Sequence, residues 1–109
     1  LFVGGNMEVE FISDKDCIRV VLSGEIDEYG AKMVRAGIDD VIENTRDLRS
    51  MIFDMKNVTF IDSTGLGFVL GRYKKLRNRH AELLLANVPR QVDKVFCASG
   101  VYRFVPIVE

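Results

Sequence analysis

Apolar and polar residues alternate along residues 7–12, with Met7, Val9 and Phe11 set against Glu8 and Glu10, and the alternation returns at Ile18, Val20 and Leu22. A period of two places one set of side chains on one face of a strand, so the two stretches predict a β-hairpin with one wet face, turned at Ser13-Asp14-Lys15-Asp16. Over residues 29–45 the spacing changes. Ala31, Val34, Ile38, Val41 and Ile42 now fall on one stripe of a helix that turns every 3.6 residues. Met51-Ile52-Phe53 is a short continuous apolar run, as in a strand covered on both faces, and residues 54–62 are expected to form the loop after it. Residues 63–78 bring Leu66, Val69, Leu70, Tyr73 and Leu76 back to helical spacing. Leu83-Leu84-Leu85-Ala86 predicts a second covered strand. A short helix over residues 89–98 is opened by Pro89 and stopped by Gly100, and residues 104–108 are expected to form a last strand.

Strands that alternate with helices imply an α/β fold, with a mostly parallel or mixed sheet of about five strands and helices packed against it. A chain of 109 residues, 48% hydrophobic, is long enough for one such core, expected to span residues 7–109. Residues 1–6 (LFVGGN) precede Met7 and are read as a cloning remnant.

Charge and cysteine content narrow the partners. Fifteen basic residues against sixteen acidic ones leave a formal charge of −1, which gives no general attraction to nucleic acid or an anionic membrane. A protein partner is the expectation. Cys17 and Cys97 sit in apolar surroundings, without the paired spacing of a metal or disulfide site, and are expected to be buried thiols. With His80 the sole histidine, no metal ligand set and no cofactor site emerges. No apolar stretch reaches the roughly 18 residues of a membrane span, so the expected location is cytoplasmic.

One stretch concentrates unusual chemistry: Val58-Thr59-Phe60-Ile61-Asp62-Ser63-Thr64-Gly65-Leu66-Gly67 puts an acid, two hydroxyls and two glycines where a loop becomes a helix. Ser63 is expected at the N-cap, where free backbone N–H groups and the helix dipole also suit a phosphate. Two readings stay open on these grounds. Ser63 is either only a cap or a phosphate acceptor, and Gly65 and Gly67 serve either close packing or the approach of another molecule to the backbone. The basic residues from Arg72 to Arg79 complement the C-terminal end of the helix dipole; they could bind an acidic group or a nucleotide phosphate, but a solvated face is the expectation.

The segment Thr59-Phe60-Ile61-Asp62-Ser63-Thr64-Gly65-Leu66-Gly67 resembles the signature of STAS domains, in which the Ser after the Asp is phosphorylated by a partner kinase. Gly24-Glu25-Ile26-Asp27 resembles the family's loop after the second strand, and residues 96–101 resemble the end of its last helix. Leu70-Gly71-Arg72-Tyr73-Lys74 is similar to the sporulation branch of the family's anti-sigma factor antagonists. The resemblance implies a partner-switching protein with no catalytic residue, cofactor or metal of its own. Unmodified, it would bind an anti-sigma factor that is also a serine kinase and so free the sigma factor; phosphorylated on Ser63, it would let go until a phosphatase reset it. The implied contacts are Glu25, Asp27, Asp62, Thr64, Gly65 and Leu66 on a monomer. A STAS module of a stress-response or sensory complex, or one that is never phosphorylated, is the alternative.

Other classes fare worse. A Ser63 nucleophile needs a base, and His80 lies about 25 Å along the same helix by its rise per residue. Gly65, Gly67 and Gly71 lack the spacing of a dinucleotide fingerprint and fall inside the helix rather than before it.

Overall fold

The computed structural model describes residues 7–108; residues 1–6, read above as a remnant, and Glu109 lie outside them. The N-terminal hairpin pairs β1 (Met7–Asp14) antiparallel with β2 (Cys17–Ile26), and Lys15 turns it with φ at 59°. Strands β3 (Ser50–Ile61) and β4 (Glu82–Ala86) add in parallel, giving the order β1-β2-β3-β4. Helices α1 (Glu28–Asn44) and α2 (Ser63–Asn78) make the crossovers, and α3 (Arg90–Ser99) follows β4. Right-handed crossovers in a sheet that grows in one direction put α1 and α2 on the same face, side by side.

Beneath them lies the core. Of the predicted stripe of α1, Ala31, Val34, Ile38 and Ile42 are buried against Val20, Leu22, Phe53 and Met55 of the sheet while Val41 is half-buried, and α2 adds Phe68, Val69 and Leu76. The Phe53 and Phe68 rings stack with centroids 6.0 Å apart, which joins β3 to α2. No helix among the described residues is long and apolar enough to cross a membrane.

Several expectations need correction. Residues 54–62 are not a loop: they continue β3 to Ile61. The strand's buried apolar positions run Met51, Phe53, Met55, then Val58, then Ile61, so the alternation slips twice. Both slips are β-bulges. Between Val21↔Asp54 and Ser23↔Asn57, and again between Gly24↔Val58 and Glu25↔Phe60, β3 spends one residue more than β2.

Residues 104–108 do not form a full strand, so the sheet has four strands among the described residues. After Gly100 (φ 80°) the chain makes one 3-10 turn, Val101–Arg103, and then touches β4 through one parallel bridge, Leu85↔Ile107. Pro106, which has no N–H to offer, limits this pairing to the bonds made by Leu85 N with Pro106 O (2.9 Å) and Val108 N with Leu85 O (2.8 Å). The cysteines are not buried thiols: Cys17 is half-buried and Cys97 exposed.

The basic stretch of α2 is not simply a solvated face either. Every third or fourth residue reaches α1. Arg72 Nε lies 3.0 Å from Asp39 Oδ1, Lys75 Nζ donates to Glu43 Oε2 at 3.2 Å, and Arg79 donates to the carbonyls of Ile42 and, at 3.1 Å, Thr45. The Arg79 bonds satisfy carbonyls at the C-terminal end of α1 that the helix itself leaves without partners. On β3, Asp54 is buried (1% exposed) and held by Arg19 at 2.8 Å, Asn87 at 3.1 Å and the Lys56 backbone N–H at 3.2 Å. Burial pushes this carboxyl up, but the hydrogen bonds from Asn87, Lys56 and Arg19 outweigh it and leave its pKa below the ordinary aspartate value.

Candidate functional site at the paired helix starts

Parallel strands β2 and β3 end level with each other, Ile26 registered with Ile61, and each runs straight into a helix. The same five-residue pattern follows both times. Ile26-Asp27-Glu28-Tyr29-Gly30 starts α1, and Ile61-Asp62-Ser63-Thr64-Gly65 starts α2. Each aspartate adopts an extended backbone and caps its helix, with Asp27 Oδ1 accepting from Gly30 N at 2.8 Å and Asp62 Oδ1 from Gly65 N at 2.9 Å. The cap of α2 is therefore Asp62 and not Ser63. A hydroxyl loses that contest because the extended residue before the first helical turn is the aspartate, whose carboxylate reaches the third helical N–H.

The two glycines are required by space. A Cβ on Gly30 would sit 2.0 Å from Glu25 O, and one on Gly65 would sit 2.1 Å from Ile26 O and 2.6 Å from Ile61 Cγ1. Each helix start is thereby pressed onto the end of β2 or its neighbour. Gly67 has nothing within 4 Å of the corresponding position, so packing explains Gly65 and leaves Gly67 open.

Freed from capping, Ser63 is the first residue of α2 and its side chain is exposed, as is that of Thr64. The amides of Ser63 and Thr64 have no partner within the helix, and the positive end of its dipole lies there. A phosphate on Ser63 would meet those amides on one side and the Asp62 carboxylate on the other. Glu25 is exposed, Asp27 and Asp62 are half-buried, Leu66 is half-buried and Gly65 is buried. The sequence-derived residues thus gather at one end of the sheet, and Gly65 contributes by shaping the turn. Among the described residues no cluster of three or more His, Cys, Asp or Glu is placed to hold a metal.

Three large apolar or aromatic residues join this end; of them the sequence singled out Tyr29, as a departure from the family pattern bearing on partner specificity, while Met33 and Phe60 had no role assigned. Tyr29 (66% exposed), Met33 (54%) and Phe60 (46%) put apolar surface in water, with Phe60 registered beside Glu25 and Tyr29 next to Glu28. Their types alone suggest core. Only the bulge before Phe60, and the position of α1 on the sheet, turn them outward. The repeated Ile-Asp-x-x-Gly pattern was legible in the sequence, and its recurrence 35 residues later is the signal that could have identified both caps.

Known proteins share this chain's sequence pattern and fold. A profile of the STAS domain matches residues 8–109. An anti-sigma F factor antagonist of Paenibacillus polymyxa is 33% identical over 102 residues, 94% of this chain and 86% of that protein. An anti-sigma-B factor antagonist of Bacillus subtilis is 30% identical over 94% of this chain and 91% of its own length. The anti-sigma factor antagonist SpoIIAA superposes in its unphosphorylated form with a TM-score of 0.77 at 27% identity, over 94% of this chain and 88% of that one. Its phosphorylated form, described as a Bacillus cell fate determinant, gives 0.70 at 26% identity, over 94% and 91%. Both the matched length and the level of identity lead to one conclusion: the chain belongs to the STAS-domain family.

Proposed function

We propose that this protein is an anti-sigma factor antagonist whose binding state is set by a phosphate on Ser63. The observation that carries the reading is the exposed Ser63 hydroxyl at the first position of α2, beside the capping carboxylate of Asp62. The relatives named as antagonists of anti-sigma factors, and a similar protein known with and without phosphate, support it. The partner is an anti-sigma factor acting as an ATP-dependent serine kinase, and a phosphatase reverses the modification. The chain supplies no catalytic group of its own and works as a cytoplasmic monomer.

The physics of the switch follows from what surrounds Ser63. Glu25, Asp27, Asp62, Thr64 and Leu66 form the contact surface, with Gly65 setting its shape and Tyr29 and Phe60 adding apolar anchors. Phosphorylation adds about −1.5 to −2 charges at neutral pH to a rim already acidic through Glu25, Asp27, Glu28 and Asp62. A partner surface complementary to the unmodified rim then meets a bulky dianion, and like-charge or desolvation costs of several kcal/mol oppose the complex. The Leu70–Lys74 segment, residues 70–74, favours the sporulation branch.

Mass spectrometry after incubation with the kinase and ATP tests the assignment. Wild type should gain one phosphate and Ser63→Ala none, while Ser63→Ala still binds the kinase. Equal labelling of the variant refutes Ser63 as the acceptor.

A further inference from the structure

We propose that the groove between α1 and α2 is a binding site for a phosphate-type oxyanion, seated on the guanidinium of Arg72. The groove encloses about 340 Å³ and is lined by Glu28, Lys32 and Arg35 from α1 and by Thr64, Phe68 and Arg72 from α2. Three cations converge on it in a chain whose net charge is −1. Ser63 is not among the lining residues, although Thr64 and Glu28 belong both to this groove and to the surface around Ser63.

Arg72 is the centre of the argument. Only 6% of the residue is exposed, although it carries five N–H donors and a permanent charge. Asp39 Oδ1 approaches Nε at 3.0 Å, yet in an orientation that makes no hydrogen bond, so both atoms remain unsatisfied in that sense. Among the described residues, no acceptor hydrogen-bonds the two terminal nitrogens. Arg72 Cζ lies over the Phe68 ring, 5.0 Å from its centroid, a cation–π contact. Burial lowers the Arg72 pKa from its ordinary value, Asp39 opposes that shift, and the like charge of Arg35 adds to it.

A nearly buried guanidinium whose Nε makes no hydrogen bond, paired with one carboxylate and facing a second arginine, is a costly arrangement for a purely structural strut. A methionine or leucine would join the two helices at lower electrostatic cost. An oxyanion resolves the arrangement, because the planar fork of Arg72 matches two oxygens of a phosphate while Arg35 and Lys32 supply charge and the Thr64 hydroxyl a further donor. Free inorganic phosphate and the phosphate ester of a small metabolite share this chemistry.

Amide chemical shifts of the full chain, followed by NMR during titration, separate the possibilities. Potassium phosphate should shift the amides of Lys32, Arg35, Thr64 and Gly67 saturably, whereas potassium chloride at equal ionic strength should not. Arg35→Gln, on an exposed position, and Arg72→Lys, which keeps the charge but loses the fork, should each weaken phosphate binding about tenfold with the rest of the spectrum folded. Tighter binding of glycerol phosphate than of phosphate assigns the site to a small ester, and equal binding assigns it to the free ion. Shifts that follow ionic strength alone, or phosphate binding untouched by both variants, overturn the proposal.

Discussion

Asp27 and Asp62 occupy equivalent places at the ends of neighbouring parallel strands, each capping its own helix through the N–H of a glycine three residues on. The pairing makes the two helix starts copies of one device. They differ at the first helical residue, where α1 has Glu28 and α2 has Ser63.

That difference bears on Ser63→Asp. The fold already carries a carboxylate at the matching position of α1, and an acid in the first turn interacts favourably with the helix dipole by about 0.3–1 kcal/mol. The variant should melt no lower than wild type and about 1–4 °C higher, since a domain this size shifts by roughly 4 °C per kcal/mol. Calorimetry should nonetheless record at least a tenfold loss of affinity for the kinase partner, a change of about 1.4 kcal/mol. Wild-type affinity in a folded Ser63→Asp protein would argue against a charge-operated switch.

The two nearby glycines should respond oppositely to alanine. Gly65→Ala drives a methyl into the backbone oxygen of Ile26, which has no flexible side chain to give way. Urea unfolding should show a loss of about 2 kcal/mol or more. Gly67→Ala meets open space inside a helix and should gain roughly 0.5–1 kcal/mol. Matching losses at both positions would mean that close approach to β2 is not what Gly65 provides.

Asp54 predicts a pH dependence. Its folded pKa lies below the ordinary value of 3.8, so ionisation favours the folded state. The stabilisation is fully present above the unfolded-state value and is lost as acid titrates the folded carboxyl, that is, on descending from about pH 4. Asp54→Asn should cost roughly 1–3 kcal/mol at neutral pH and flatten the acid limb of the stability curve. If wild type and variant lose stability in parallel below pH 4, Asp54 is not responsible for that limb.

Much of this was written along the chain in plain periodicities. The stripe of Ala31, Val34, Ile38 and Ile42, the span of α2 and the apolar runs of β3 and β4 follow from spacings of 3.6 and 2, because burial selects the face. The resemblance of the Asp62–Gly67 stretch to a family signature singled out Ser63 as the candidate acceptor, and the cap was misassigned to it, since Asp62 and Ser63 both have side chains able to accept that bond.

Tertiary structure decided what local pattern leaves undetermined. Two bulges moved β3 out of phase, so residues 54–62 resembled a loop until pairing with β2 restored their extended path. Arg72, Lys75 and Arg79 resembled a wet face because charge implies water unless a neighbour supplies partners, and α1 supplies them. Whether Phe60 points inward or outward, and whether two helix starts thirty-five residues apart stand side by side, depends on sheet register, and register exists only once the strands have met.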